Sequence, residues 1–382
     1  MQIASVLIIH LIISVSFIIS DCMEVIKSML IYFKKGLSYD MDLVRILGDG
    51  VERTVGCKLV KNGQKVLLKV NVAGPFPESQ AATTHPALVR AMVRLIKEMG
   101  GVPIIGDGPN SIQSCFDICG LTKVAHEEDV KLISFSRYSA QTVEGEMYQK
   151  IQYAEEVLEA DIVISMAKLK THALMYYTGA VKNMFGAVLP EQRKQMHTQT
   201  NTNKFMNCLL DVYLVRVPDF AIIDGILAME GIGPTHGIPR NAGVIACSAD
   251  SLALDYLCAD YMGYDVVKLP MYIEGKRRGI TNVEPENLEI TGDAYDRVIP
   301  EFKRIPYFEE KVRKRFMKMI LGKPVIDTNE CKQCGLCRRV CPGEAIIMKN
   351  GYPEIMTDKC VNCYCCSELC PAGAIEFIKN FS

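Results

Sequence analysis

The stretch that decides the organisation of the chain lies near its carboxyl end, at residues 331–371. It reads CKQCGLCRRVCP at residues 331–342 and CVNCYCCSELCP at residues 360–371. Both segments follow the pattern Cys-x2-Cys-x2-Cys-x3-Cys-Pro, so the second segment repeats the first. Cysteines two residues apart can surround one inorganic cluster from a tight loop whose amides point at the sulfurs. The proline after the fourth cysteine then turns the chain away.

This spacing is typical of bacterial ferredoxins, in which the fourth cysteine of each run binds the cluster of the other run. It therefore predicts two [4Fe-4S] clusters as cofactors, with crossed ligand sets. The predicted ligands of the first cluster are Cys331, Cys334, Cys337 and Cys370. The predicted ligands of the second cluster are Cys360, Cys363, Cys366 and Cys341. Cys365 falls outside the pattern and is predicted to be a bystander.

A zinc site and a disulfide framework are the alternatives for so many clustered cysteines. Zinc sites use four ligands, usually as two separated pairs, and neither run has that form. The eight cysteines outside the two ligand sets are scattered along the chain, and free thiols of this kind suit a reducing compartment. The formal net charge is −1, so the charge of the whole molecule indicates no nucleic-acid partner.

The amino-terminal extension, residues 1–38, contains an apolar run at residues 3–19 that only three serines and one histidine interrupt. Its length is at the short edge of the ~17–25 residues that span a bilayer, and no basic residue precedes it. The run is either a membrane anchor or the product of an over-extended start, with Met23, Met29 or Met41 as the true beginning. The lysines that follow it predict main domains that are cytoplasmic, or on the cytoplasmic side of an anchoring membrane.

Residues 39–292 alternate short apolar segments with amphipathic ones, which predicts an α/β domain with a doubly wound, mainly parallel sheet. The predicted strands lie at residues 65–71, 102–105, 161–165, 220–223 and 244–246. In open sheets of this type, ligands bind beyond the carboxyl ends of the strands. Candidate site residues are therefore sought at those ends.

Polar side chains do collect there. The candidate catalytic residues are Lys170, His172 and Lys182. The candidate substrate-binding residues are Lys69, Asn71, Asp107, Lys168, Asn183, Asp224 and Glu230. Closely spaced lysines favour a bound carboxylate or phosphate that neutralises them, and a helix beginning near Thr178 is expected to add backbone donors. A buried lysine can also act as a base, because burial lowers its pKa.

Two alternatives stay open for these residues. The lysines could lie on a solvated loop, without a ligand. The three carboxylates could bind Mg²⁺ or merely offset the lysine charges, and we favour the second of these.

The same segments resemble the DUF362 family, many members of which carry a two-cluster ferredoxin at the carboxyl end. The resemblance rests on KVN (69–71), TTHP (83–86), GDGP (106–109), KLKTH (168–172), TGAVKNMFG (178–186), DGILAMEG (224–231) and SADSLALD (248–255). It covers about residues 40–292 and the carboxyl-terminal repeat. The family is named for an unknown function, so the resemblance implies little chemistry. A further resemblance, to the N-terminal domain of nickel-dependent lactate racemases, is an analogy of fold alone.

Residues 293–324 are predicted to be a basic helical connector, and residues 325–382 a small α+β ferredoxin-like domain. Together these predictions describe an iron–sulfur redox protein that transfers electrons between two clusters and a small anionic substrate, or a redox partner protein. One alternative is an electron-carrier or docking subunit without its own catalysis. Another is a non-redox proton-transfer enzyme with structural clusters. Whether the chain is an iron–sulfur oxidoreductase therefore stays open, as does membrane association through residues 3–19.

Overall fold

One large sheet organises the first domain of the protein. A computed structural model describes residues 30–108, 113–296, 301–309, 312, 315 and 323–378. The apolar run at residues 3–19 and most of the predicted connector helix lie outside the described residues. Among the helices that the structure describes, none is both long and apolar enough to cross a membrane.

Nine of the described strands form this sheet, and two more form a separate hairpin. In chain order the strands are β1 (Leu30–Lys34), β2 (Lys65–Lys69), β3 (Val102–Asp107), β4 (Lys131–Ser134), β5 (Tyr138–Thr142), β6 (Lys150–Ala154), β7 (Ile162–His172), β8 (Tyr176–Thr178), β9 (Phe220–Glu230), β10 (Ile238–Ser248) and β11 (Glu289–Gly292). The order across the sheet is β11-β1-β10-β9-β7-β2-β3-β4, with β8 paired to the end of β7, while β5 and β6 form the hairpin.

Parallel pairing dominates the sheet. Strands β9, β7, β2, β3 and β4 run parallel to one another, and β11 runs parallel to β1. Strand β10 is antiparallel to both β9 and β1, and β8 is antiparallel to β7. The prediction of a mainly parallel α/β sheet is therefore confirmed.

Helices cover both faces of the sheet. They are α1 (Leu43–Thr54), α2 (Pro86–Glu98), α3 (Gln113–Ile118), α4 (Leu121–Glu127), α5 (Glu155–Leu158), α6 (Ala180–Asn183), α7 (Pro190–Met196), α8 (Thr202–Val215), α9 (Ser251–Tyr261) and α10 (Pro270–Arg277). On β2, Leu67 packs into one core with Phe205 of α8, while Leu68 packs into the other core with Met92 of α2. Because successive strand residues point to opposite faces, a strand covered on both sides is apolar along its middle, as β2 is at residues 66–68.

Two predicted boundaries are wrong. Strand β7 continues through Lys168 and Lys170 to His172, because β8 folds back antiparallel on it and pairs His172 with Tyr176. These polar residues therefore lie within a strand and not on a loop after it. Strand β1 begins at Leu30 and lies between β10 and β11, so the α/β domain starts before residue 39.

The carboxyl-terminal domain is built as two similar halves. Its elements are β12 (Lys323–Ile326), α11 (Leu336–Val340), β13 (Ile346–Lys349), β14 (Tyr352–Ile355), α12 (Cys365–Glu368) and β15 (Ile375–Ile378). Strand β12 pairs antiparallel with β15, and β13 with β14. In each half a cysteine loop leads into a short helix and then into a strand, as the sequence repeat predicts.

Candidate functional site

A cleft of about 410 Å³ lies between the α/β domain and the carboxyl-terminal domain, and we call it the interdomain cleft. Its volume is within the range of small-molecule sites. The α/β wall includes the carboxyl ends of β2, β3 and β7, which is where ligands bind in open parallel sheets. The other wall is supplied by α11 and α12 and their neighbours. Its residues are Leu336, Arg339, Val340, Cys365, Glu368 and Leu369.

The structure places six of the ten predicted pocket residues on this cleft and leaves four away from its lining. Those on the lining are Lys69, Asn71, Asp107, Lys170, Lys182 and Asn183. Those away from it are Lys168, His172, Asp224 and Glu230. The lining also brings in basic residues that the sequence did not single out, including Arg193 and Arg339. Among the described residues, six lysine and arginine side chains and three acidic side chains line the cleft, so basic groups are in excess.

Lys69 and Asp107 form a closed pair at one end of the cleft. The Lys69 Nζ lies 2.5 Å from the Asp107 Oδ1, and it also donates to the Asn183 Oδ1 at 3.2 Å. The Asp107 Oδ2 accepts from the backbone N–H of Val72 at 2.5 Å. Both side chains of the ion pair are buried. Their charges are therefore matched within the protein and need no ligand.

Lys170 and Lys182 are in a different situation. The Lys170 Nζ donates to the backbone carbonyl of Ala82 at 2.7 Å, and no carboxylate pairs with it among the described residues. Burial, with the charges of Lys182 and Lys168, lowers the pKa of Lys170 to about 7. Within the described ranges, no hydrogen bond or ion pair engages the Lys182 ammonium or the Arg193 guanidinium. Burial lowers the pKa of both groups. This part of the cleft thus holds cations that make no ion pair with any described residue.

His172 is buried beside the cleft but does not line it. Its Nδ1 accepts from the backbone N–H groups of Leu174 and Met175 at 3.1 and 3.2 Å, so the ring caps the turn that follows β7. Burial is the main cause, and the charge of Lys182 the next, of a pKa of His172 that lies well below its usual value. The ring is therefore neutral, and its proton is on the buried Nε2, which has no partner within the described part of the chain. A catalytic role for His172 stays a prediction.

Lys168 belongs to a separate polar network away from the cleft. Its Nζ lies 2.5 Å from the Asp224 Oδ2 and donates to the Tyr39 Oη at 3.1 Å. Asp224 also accepts from the Tyr39 hydroxyl at 2.7 Å and from the backbone N–H of His85 at 2.8 Å. The ring of Tyr39 stacks on that of His85 with centroids 3.5 Å apart. The arrangement joins β7, β9 and the start of α2, and it neutralises both charges internally.

The predicted backbone donors near Thr178 are already occupied, which corrects the expectation that they serve a ligand. The N–H groups of Ala180 and Val181, at the start of α6, donate to the Asp255 carboxylate at 2.7 and 3.0 Å. Burial raises the pKa of Asp255 to about 7, against the opposing effect of these hydrogen bonds. Glu230 likewise accepts from a backbone group, the N–H of Lys303, at 3.0 Å.

The carboxyl-terminal domain sorts its cysteines into two groups. One small cavity is lined by Cys331, Cys334, Cys337 and Cys370, and another by Cys341, Cys360, Cys363 and Cys366. These are the two quartets that the crossed ferredoxin spacing predicts. Cys365 belongs to neither quartet and lines the interdomain cleft instead.

Each quartet supplies the four thiolates that a cubic iron–sulfur cluster takes. A cube takes one thiolate at each of its irons, so its four sulfurs stand apart around a cavity. Backbone N–H groups also point at the sulfurs: Ala345 donates to the Cys341 Sγ at 3.2 Å, and Ala374 to the Cys370 Sγ at 3.3 Å. Such hydrogen bonds tune the reduction potential of iron–sulfur clusters.

Arg193 and the residues of α11 and α12 are among the lining residues that the sequence did not single out. Arg193 lies on α7, in a segment without a motif, and a domain contact brings it to the cleft. The α11 and α12 residues did carry a signal, because their distances from the cysteines are the same in both halves of the repeat. That spacing identifies equivalent surfaces but not what they face.

Comparisons with known proteins agree with this organisation. A family model described as a domain of unknown function, DUF362, matches residues 66–260, and one described as a 4Fe-4S dicluster domain matches residues 323–371. The thylakoid-associated protein sll1697 of Synechocystis sp. is 32% identical over 231 residues, which cover 59% of this chain and 72% of that protein.

One solved structure, the lactate racemase apoprotein from Thermoanaerobacterium thermosaccharolyticum, is similar at a TM-score of 0.38 and 10% identity. The match covers 58% of this chain and 54% of that chain, so this protein spans about half the length of the racemase structure. A likeness this slight has no bearing on function.

Proposed function

We propose that this chain, which belongs to the DUF362 family and carries a 4Fe-4S dicluster domain, is an iron–sulfur redox protein. Its clusters would exchange electrons with a small anionic substrate. One observation carries the proposal. The interdomain cleft has unmatched cations on its α/β wall and residues of the cysteine-rich loops on its other wall. A substrate held by the cations would therefore lie beside the cluster-binding domain.

The two cysteine quartets would hold the clusters. Cys331, Cys334, Cys337 and Cys370 would bind one [4Fe-4S] cluster, and Cys360, Cys363, Cys366 and Cys341 the other. When bound, such clusters supply one-electron transfer. Leu336 precedes Cys337 in the chain and Cys365 precedes Cys366, so the cleft wall is made of sequence neighbours of ligands from both runs.

The cationic wall would bind and orient the substrate. Lys182 and Arg193 have no internal partner among the described residues, so a carboxylate or phosphate that contacts them replaces lost hydration with ion pairs. The anion would also favour the protonated form of Lys170, whose pKa is about 7 without it. Reduction of a carbonyl or similar group takes up protons as well as electrons. Lys170, fixed by its hydrogen bond to Ala82, is placed to hold and release such a proton.

Redox titration of the anaerobically purified protein tests the coupling between cleft and clusters. Inorganic phosphate or acetate is expected to shift the midpoint potential to more negative values, because a bound anion opposes the added electron. Binding that is tenfold weaker to the reduced protein corresponds to a shift of about 59 mV. The shift should vanish in Lys182→Met and persist in Lys61→Met, which changes an exposed lysine outside the cleft lining. An unchanged potential with saturating anion would argue against the proposal.

A second candidate function is favoured by the pKa of Lys170. A lysine with a pKa of about 7 is partly neutral at neutral pH and can abstract a proton next to a bound carboxylate, without any redox step. Purely structural clusters would show no dependence of potential on the anion, so the same titration separates the two functions. A docking subunit, the third possibility, would keep its turnover with a redox partner protein when Lys170 and Lys182 are replaced.

The location of the protein is also a proposal. We place both described domains on the cytoplasmic side, because the lysines after the apolar run would hold them there if residues 3–19 anchor the chain. Separation of membrane and soluble fractions, with and without residues 1–28, tests whether that run tethers the protein.

A further inference from the structure

The wall that the carboxyl-terminal domain presents to the interdomain cleft follows its internal repeat. The six residues on this wall form three pairs with a constant offset of 29 residues, the separation of Cys331 from Cys360. The pairs are Leu336 with Cys365, Arg339 with Glu368, and Val340 with Leu369. Equivalent surfaces of α11 and α12 therefore meet the cleft together, side by side.

The two halves differ in charge at one of these pairs. Arg339 of the first half corresponds to Glu368 of the second, so one cation and one carboxyl group occupy equivalent places on the wall. The Arg339 Nη1 donates to the backbone carbonyl of Cys334 at 3.2 Å, which satisfies part of its guanidinium. Among the described residues, the Glu368 side chain has no comparable contact.

The carboxyl group of Glu368 lacks a partner. Its Oε1 is buried and accepts no hydrogen bond within the described part of the chain. Lys182 and Lys170 attract it electrostatically from the opposite wall, but neither makes an ion pair with it. Burying a polar oxygen without a hydrogen bond is costly in either protonation state, and native proteins rarely leave such a group unpaired without a reason. Glu368, Lys170 and Lys182 all line the interdomain cleft.

We propose that Glu368 contacts the substrate, and that the cleft selects a small anion which also carries a hydrogen-bond donor, either a hydroxyl or an ammonium group. The inference rests on the proposed function and names the substrate class of that same site. The anionic end would lie against Lys182 and Arg193, and the donor would bond to the unpaired Glu368 oxygen. The site is then composite, because neither domain supplies both contacts.

Selectivity follows from the same geometry. An anion without a donor leaves the buried Glu368 oxygen unpaired. An anion with a hydroxyl removes that penalty. Sites built to hydrogen-bond a substrate group discriminate strongly against the analogue that lacks it, because a buried polar atom is then left unsatisfied.

Matched ligand pairs test the inference by calorimetry on the anaerobically purified, cluster-containing protein. The pairs are succinate with malate and propyl phosphate with glycerol 3-phosphate, which differ in hydroxyl groups. The wild type should bind the hydroxylated member about tenfold more tightly. In Glu368→Leu that preference should disappear, while succinate and propyl phosphate should still bind.

The internal repeat offers a matched control. Arg339→Leu makes the same replacement at the equivalent position of the first half, and it should weaken both members of each pair without changing their ratio. Visible absorbance of the clusters checks that each variant is intact. If Glu368→Leu does not retain its clusters, Glu368→Gln, which keeps the shape of the side chain, should show a reduced preference.

The outcomes separate this inference from the proposed function. If the anions bind through Lys182 but the hydroxyl preference is absent, or survives in both Glu368 variants, the inference is overturned and the anion site stands. If no member of either pair binds in a manner that depends on Lys182, the proposed function fails and the inference fails with it.

Discussion

Lys168 and Lys170 stand two residues apart on the same strand and are equally buried, at 1% and 3% exposure, yet their surroundings differ. Lys168 contacts the Asp224 carboxylate and the Tyr39 hydroxyl, which match its charge. Lys170 contacts a backbone carbonyl and faces the interdomain cleft. Burial alone therefore does not distinguish a ligand-binding lysine from a structural one. The distinction is whether the protein itself provides the opposite charge.

Removing Lys168 should have the largest effect on stability. Lys168→Met leaves Asp224 as a buried, unpaired carboxylate, and breaking a buried pair in this way costs about 3–5 kcal/mol. We expect the free energy of unfolding, measured by denaturant titration under anaerobic conditions, to fall by that amount. The double variant Lys168→Met/Asp224→Asn should recover most of the loss, because Asn removes the charge while its Oδ1 can accept from the His85 N–H and its Nδ2 can donate to the Tyr39 Oη.

Lys170→Met is the matched comparison for this experiment. Lys170 has no carboxylate partner among the described residues, so its removal strands no charge. A loss of stability in Lys170→Met as large as that in Lys168→Met would show that the two lysines are equivalent after all, and the distinction between them would be wrong.

The pH dependence of stability should sharpen the comparison. The pKa of Lys170 is about 7 in the folded protein and has a usual value of 10.5. Between these values the unfolded chain binds a proton that the folded protein does not, so raising the pH stabilises the fold, by up to about 1.4 kcal/mol per pH unit. Below pH 7 both states are protonated and the contribution is constant.

We therefore expect the free energy of unfolding of the wild type, relative to Lys170→Met, to rise by about 2 kcal/mol from pH 7 to pH 9. The buffer must contain no carboxylate or phosphate, since a bound anion would restore the proton to Lys170. The difference in free energy of unfolding between the wild type and Lys61→Met should not change with pH, because both proteins keep Lys170. A difference between wild type and Lys170→Met that does not change with pH would mean that Lys170 keeps its usual pKa in the folded protein.

The sequence predicted the parts of this arrangement that depend on local spacing. The two cysteine runs predicted both quartets because the ligands of each run are set by positions a few residues apart. The mainly parallel sheet followed from apolar segments such as β2, which are long enough to identify without tertiary information. Six of the ten candidate residues line the interdomain cleft, since polar residues at the ends of parallel strands meet at one edge.

What the sequence could not reveal depends on contacts between distant segments. Lys168 and Lys170 look alike in KLKTH, and only the position of Asp224, 56 residues away, separates their roles. The sequence predicts an end of β7 at residue 165, because the polar residues that follow give no strand signal. In the structure, pairing with β8 keeps them in the sheet. Glu368 was missed because a contact between domains, which has no counterpart in local spacing, brings it opposite Lys182.

The smallest expected effect concerns the closed pair that does line the cleft, Lys69 with Asp107. A Cβ added at Gly186 would lie 2.9 Å from the Asp107 Oδ1 and 3.0 Å from the Lys69 Nζ, too close for both atoms to stay in place. Gly186→Ala should therefore lower the free energy of unfolding by about 1 kcal/mol, the lower end of the cost of overpacking. It should leave anion affinity nearly unchanged, because this pair already matches its own charges.

Gly48→Ala is the control for that change. At Gly48, within α1, an added Cβ meets only the Leu95 Cδ1 at an ordinary 3.6 Å, so the better helix propensity of alanine should raise stability by about 1 kcal/mol. A loss of stability in Gly186→Ala together with a gain in Gly48→Ala would show that the Lys69–Asp107 pair is held rigidly against Gly186. If Gly186→Ala instead weakened anion binding as strongly as Lys182→Met, the Lys69–Asp107 pair would belong to the ligand site. An internal ion pair would then not distinguish a structural lysine from a ligand-binding one.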